Sequence, residues 1–335
     1  MSASIPTAIV LLIVSAGLIY FACELFVNGV EWLGRKIGIG QTAIGTVLAA
    51  FGTALPESVV TLVAVLSGHD EASKNIGVGA ALGGPLVLST VAYAVVGLAI
   101  LANRDRHGSA ALTFHRGRLG RDQTWFLLIF IVKLVLGLIA FSLKPLLGFA
   151  FLIAYALYFW KEVRQEEEEE HLDLEPLTFR PKETDPGMIW IMLQTGLALL
   201  VTFSASHLFV EQLAKIGPWM GVSPTVVALL FSPIATELPE TMNAIIWIRQ
   251  GKQRLAVANI SGAMMIQATV PSAFGLFFTR WMFDAPLILS GVITTASIIG
   301  LLLLLHRNAL TAARMAWLGV FYFVFAAGLI YLRQW

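Results

Sequence analysis

Long apolar runs separated by short polar joints repeat along the whole chain. "IPTAIVLLIVSAGLIYFA" (residues 5–22) and "LILSGVITTASIIGLLLLL" (residues 287–305) are two of them. A helix needs about 20 apolar residues to cross the hydrocarbon of a bilayer. The pattern predicts about ten spans: 7–27, 40–67, 73–101, 123–141, 145–160, 187–209, 222–248, 255–278, 286–305 and 312–332. Span 2 is expected to break near Pro56 and span 7 near Pro239. Short alternating segments, the mark of a membrane β-barrel, are missing.

The basic residues orient these spans. Sixteen of the 22 Lys and Arg residues fall in the odd-numbered loops, among them Arg35, Lys36, Arg116, Arg118, Arg121, Lys161, Arg249 and Lys252. Lys74, Lys144, Lys215, Arg280 and Arg333 lie on the other side, and Lys133 falls inside a span. The positive-inside rule then puts the odd loops in the cytoplasm and both termini outside it. Composition agrees: 57% of residues are hydrophobic and 13% charged, about half the charge of a soluble domain. The expected fold class is an all-α polytopic membrane protein of the cell (inner) membrane. The N-terminus lacks the basic start and cleavage site of a signal peptide, so residues 7–27 read as a retained span. The single cysteine, Cys23, excludes an internal disulfide framework.

The middle loop, residues 161–186, holds the long polar stretch "QEEEEEHLDLEP" and divides the chain into 1–160 and 187–335, five spans each. The halves repeat. A gapless shift of 183 residues carries Leu55-Pro56-Glu57 onto Leu238-Pro239-Glu240. It also carries Gly34 and Gly38 onto Gly217 and Gly221, Thr53 onto Thr236, and Gly79-Ala80 onto Gly262-Ala263. Five spans is an odd number, so the halves are expected to insert upside down to one another. Inverted repeats of this kind place a substrate site at the midplane on broken helices.

Pro-Glu at that depth has a physical meaning. Proline lacks an N–H and clashes with the carbonyl one turn earlier, so Pro56 and Pro239 should release backbone oxygens. A glutamate adds charge that is costly in hydrocarbon. A cation relieves both costs, and Ca²⁺ takes 6–8 oxygens from carboxylates, carbonyls and waters. Burial favours the neutral acid, so a proton can replace the metal. Two proline kinks with glutamates capping the following half-helices are the plainer explanation. It fits one such site better than two in inverted halves.

"ACELFVNGVEWLGRKIGIGQTAIGTVLAAFGTALPESVVTLVA" and "SHLFVEQLAKIGPWMGVSPTVVALLFSPIATELPETMNAII" resemble the two α-repeats of the Ca²⁺/cation antiporter superfamily, which includes Na⁺/Ca²⁺ and H⁺/Ca²⁺ exchangers. The resemblance covers both repeats and the ten-span plan. It implies a core of spans 2, 3, 7 and 8, with spans 1 and 6 sliding across it. It implies Glu57 and Glu240 as the paired acids that bind the transported cation, with Thr53 and Thr236 lining the same site. The departures lie in the second motif, G-S-N-x-x-[ND]. Here it reads "GAALGG" (79–84) and "GAMMIQ" (262–267). Ala80 and Ala263 replace serines, Gly84 replaces an asparagine, and Gln267 stands where Asn or Asp is usual. Ala54 replaces a signature serine, and Glu237 is an acid in place of another. Lost hydroxyls weaken the case for three-Na⁺ coupling, and a third acid is easier to reconcile with protons.

The expected function is a secondary antiporter, not an enzyme, that exchanges a divalent cation, Ca²⁺ first, for H⁺ or Na⁺. Its cation-binding residues are Glu57, Glu240, Thr53, Thr236, Glu237 and Gln267, with Glu57 and Glu240 on the metal. A Mg²⁺ or Mn²⁺ exchanger of the same fold and a non-transporting cation sensor are the alternatives. The ions are substrates, so no cofactor is expected. The partners are inorganic cations and the bilayer, with no nucleic acid; the sequence carries no signal for oligomeric state. No phosphate-binding loop, nucleophile elbow or zinc motif is present. Glu24 and His207 sit within spans 1 and 6, as a structural pair or facing a vestibule. Lys133 reads as snorkelling or neutralising an acid, with a tethered stand-in for a cation as the alternative. Glu166–Glu170 reads as a solvated cytoplasmic loop or short helix end, with a regulatory cation sensor as the alternative. "NIS" at Asn259 matches a glycosylation pattern but falls in a span.

Overall fold

The computed structural model describes residues 5–40, 43–54, 58, 62, 71–104, 111–164, 174–219 and 230–332. Among these, helix covers the apolar segments and no strand occurs. We number the helices by segment: α1 is Ile5–Ile37 and α2 is Ile44–Ala54, π-helical over Ile44–Ala49. α3 runs through Glu71–Val87, a π-helical stretch Leu88–Ala92, and Tyr93–Ala102. Then come α4 (Arg116–Leu138), α5 (Leu147–Arg164) and α6 (Met188–Trp219). α7 is in two pieces, α7a (Ser232–Thr236) and α7b (Leu238–Arg249). α8 is Gln253–Phe278, α9 is Ala285–His306, and α10 runs from Ala312–Ala316 through a 3₁₀ turn to Val320–Leu332. Seven stretches among the described residues are helices long and apolar enough to cross a membrane.

Burial ranks the helices. α8 is buried along 83% of its apolar stretch, whereas α1 is buried along 28%. α8 is therefore the central post, packed against α2, α3, α4, α5 and α7b. α1 and α6 run side by side on the outside, and α1 also touches α7b. Ile13, Phe21, Ile189, Leu200 and Phe323 are exposed on outer faces. Apolar side chains in that position suit hydrocarbon, because lipid tails are as apolar as they are. α8 crosses α2 at small residues. A Cβ on Gly262 would overlap the carbonyl oxygen of Thr46 and lie 2.6 Å from its Cα. The glycine is what lets the two backbones touch.

The described part of the middle loop is largely exposed yet holds on to the helices, and the solvated loop expected at Glu166–Glu170 lies outside the described residues. Residues 174–185 strap α1 to α6. Asn28 Nδ2 donates to the carbonyls of Glu175 and Pro176, both at 3.3 Å, and Trp32 Nε1 donates to Glu175 O at 2.9 Å. Gln194 Nε2, from α6, donates to Asn28 Oδ1 at 2.8 Å, and its Oε1 accepts from Phe179 N at 2.9 Å. Leu177 is fully buried between Trp32 and Ile191. Amides within apolar helices thus pair with the loop's backbone where it crosses them, on either side of the buried Leu177.

Candidate functional site

The second Leu-Pro-Glu stretch forms the predicted break. Pro239 sits at the start of α7b, where its missing N–H costs nothing. Glu237 is the joint, with φ −87° and ψ 6°. Its N–H donates to Pro233 O at 3.1 Å, and its own carbonyl accepts from Thr241 N at 3.1 Å. The interruption is thus one residue wide, and that residue is an acid. Glu240 follows in the first turn of α7b, where a helix N-terminus favours negative charge. The matching stretch of the first half, Leu55, Pro56 and Glu57, lies outside the described residues.

Of the expected site residues, Glu237 and Glu240 are fully buried, and Gln267 and Thr53 nearly so, while Thr236 is partly buried. Gln267 Nε2 donates to Glu237 Oε1 at 2.7 Å, which ties α8 to the break in α7. The room for this contact comes from α3. A Cβ on Gly84 would overlap Gln267 Oε1 and stand 2.7 Å from Glu237 Oε1. The position that lost its amide in the first half is therefore filled by an amide and a carboxylate from the second. The threonines are turned to their own helices. Thr53 Oγ1 donates to Ala49 O at 3.0 Å and Thr236 Oγ1 to Pro233 O at 3.1 Å. Their lone pairs are what they can offer a cation. Among the described residues, no three His, Cys, Asp or Glu side chains gather as a metal cluster.

Several neighbours were not counted among the site residues from sequence. Asn259 Nδ2 donates to the backbone oxygen of Glu240 at 3.2 Å, and the residue is fully buried, a place for a structural amide rather than a glycan. Asn243, one turn beyond Glu240, is fully buried, and neither its Oδ1 nor its Nδ2 has a hydrogen-bond partner among the described residues. Cys23 of α1 donates its thiol to Pro239 O at 3.8 Å, so an outer helix reaches the break. Amides in an apolar span were the available signal, since polar groups there seek partners.

Lys133 does not snorkel, and among the described residues it meets no acid. It is fully buried, and no carboxylate lies within ion-pair distance of it among the described residues. Its Nζ donates to Ala81 O at 2.6 Å and Gln267 O at 3.3 Å, so the charge lies behind the Gln267–Glu237 pair. Glu24 and His207 are both exposed on the outer helices, and the structure does not bring them to the break.

Buried carboxylates at a break in a packed helical bundle define an ion-handling membrane protein. The sequence model of the sodium/calcium exchanger protein family matches residues 7–161 and 189–333, on either side of the middle loop, and the chain belongs to that family. It is thereby an integral membrane protein of the Ca²⁺/cation antiporter superfamily. Among its relatives, inner membrane protein YrbG of Escherichia coli (strain K12) is 28% identical over 334 residues, covering 95% of this chain and 97% of that protein. Putative antiporter CaxA of Alkalimonas amylolytica is 26% identical over 290 residues, 83% of each chain. The structure of the sodium-calcium exchanger NCX_Mj soaked with 100 mM Na⁺ and 10 mM Sr²⁺ superposes with a TM-score of 0.75. That match covers 97% of this chain and 99% of the other at 19% identity, a likeness of fold.

Proposed function

We propose that the chain is a secondary active antiporter that carries a divalent cation, Ca²⁺ first, in exchange for protons. Glu240 and Glu57 hold the metal, and Glu237, Gln267, Thr53 and Thr236 complete the site. The observation that carries this reading is the Gln267–Glu237 contact over Gly84. It puts a carboxylate and an amide where the family pattern has a neutral asparagine and a serine. Carboxylates can take metal or proton in turn, whereas the hydroxyl oxygens that suit Na⁺ are fewer here. The proposed frame is ten spans in two inverted halves, both termini outside the cytoplasm, in a cell membrane. Opening to one side and then the other lets the same acids exchange metal for proton. Proline frees the oxygens and the acid supplies the charge, so the two functions share one local motif.

The test is flux of Ca²⁺, Mg²⁺ and Mn²⁺ in proteoliposomes against an imposed H⁺ or Na⁺ gradient. Ca²⁺ uptake should follow the H⁺ gradient, and Glu240→Gln should reduce it below about a tenth, a loss of more than ~1.4 kcal/mol in transition-state terms. Uptake driven by Na⁺ alone would replace the proton with Na⁺. Metal binding without flux would make the protein a cation sensor.

A further inference from the structure

Two more prolines lie inside spanning helices, Pro85 in α3 and Pro271 in α8. Each removes the N–H that would bond the carbonyl four residues earlier. Those carbonyls belong to Ala81 and Gln267, and they are the two oxygens that receive Lys133 Nζ. The lysine comes from a third helix, α4, and is fully buried. Its ammonium lies 5.3 Å from the centre of the Phe130 ring and 6.0 Å from that of Trp281, within the range where an aromatic face attracts a cation. Two proline-freed carbonyls facing one another between α3 and α8 make a small cation site, and here the cation is covalently attached.

Gln267 links this site to the first. Its backbone oxygen receives Lys133, while its side-chain amide donates to Glu237. The chain therefore carries one acid more than the family pattern at α7 and one buried ammonium behind it, joined through one residue. We propose that Lys133 is a resident cation of the transport site: it compensates Glu237 and stands in for one monovalent cation that would otherwise be bound and carried. This rests on the antiport reading above. Lys133 is a positioning and charge-setting residue, and it need not touch the transported ion.

The experiment measures countercations moved per divalent cation, from the voltage at which Ca²⁺ flux reverses in proteoliposomes clamped with a potassium gradient and valinomycin. Lys133→Met removes the charge at similar length and should raise the ratio by one. Glu237→Gln should lower it by one. The double variant should return to the wild-type ratio, and Lys133→Arg should hold it. Unchanged ratios in Glu237→Gln and in Lys133→Met would make the lysine a carbonyl cap alone and overturn the proposal. Should Lys133→Met fail to fold, an unchanged ratio in Glu237→Gln overturns it unaided. A wild-type protein that exchanges no cation would sink the antiport reading itself, a result separate from any change in ratio.

Discussion

At the scale of residues, the site is a relocation of polar atoms. Gly84 contributes nothing except space, and Gln267 and Glu237 occupy it. Restoring an amide on α3 should therefore harm the protein. Gly84→Asn drives a side chain into Gln267 and Glu237, and overpacking of this kind costs about 1–3 kcal/mol. Exchange should fall about tenfold or more in the flux assay. Adding Gln267→Ala to Gly84→Asn moves the amide from one half to the other and should recover most of that loss. If Gly84→Asn alone transports like wild type, the space at Gly84 has no such role.

At the scale of elements, the break and the crossing of α2 with α8 have different causes. The break follows from a proline at the start of α7b, so it is written locally. The crossing depends on two helices far apart in sequence meeting at Thr46 and Gly262. Gly262→Ala places a methyl group against backbone, which cannot swing aside as a side chain can. It should destabilise the protein by about 1–3 kcal/mol, measured by thermal unfolding in detergent. Gly300→Ala is the matched control, because a Cβ there meets only Phe321 at 3.9 Å or beyond. It should leave the melting temperature unchanged or slightly raised. Equal losses in both would show that helical glycine, rather than the crossing, is what matters.

At the scale of the whole molecule, the outer pair α1 and α6 is joined to the core at one end by a part-buried ion pair on α1. Lys252 Nζ donates to Glu31 Oε2 at 2.6 Å, and Trp247 Nε1 donates to Glu31 Oε1 at 2.7 Å. Glu31 is 3% exposed and Lys252 15%. The tie connects α1 to the turn between α7b and α8, while the 174–185 strap holds α1 to α6. Lys252→Met leaves a buried carboxylate without its counter-charge, a loss of about 3 kcal/mol. The melting temperature should drop clearly, and Lys252→Arg should recover most of it.

The apolar runs were enough to place the seven long helices found among the described residues, because burial in lipid requires long apolar segments and backbone bonds closed within each helix. Glu240 and Glu237 were legible for the same local reason: an acid beside a proline in such a segment is conspicuous. Gln267 was legible through the repeat. What the tertiary structure alone decided is which groups face each other. Gly84 as the seat of Gln267 and Glu237, Asn259 against the Glu240 carbonyl, and the strap across Asn28 and Gln194 all join residues distant in sequence. Lys133 shows the limit most clearly. A lysine in an apolar run is visible, and so are Pro85 and Pro271, yet the meeting of one ammonium with two released carbonyls depends on how three helices pack. Local chemistry states which groups need a partner; only packing assigns it.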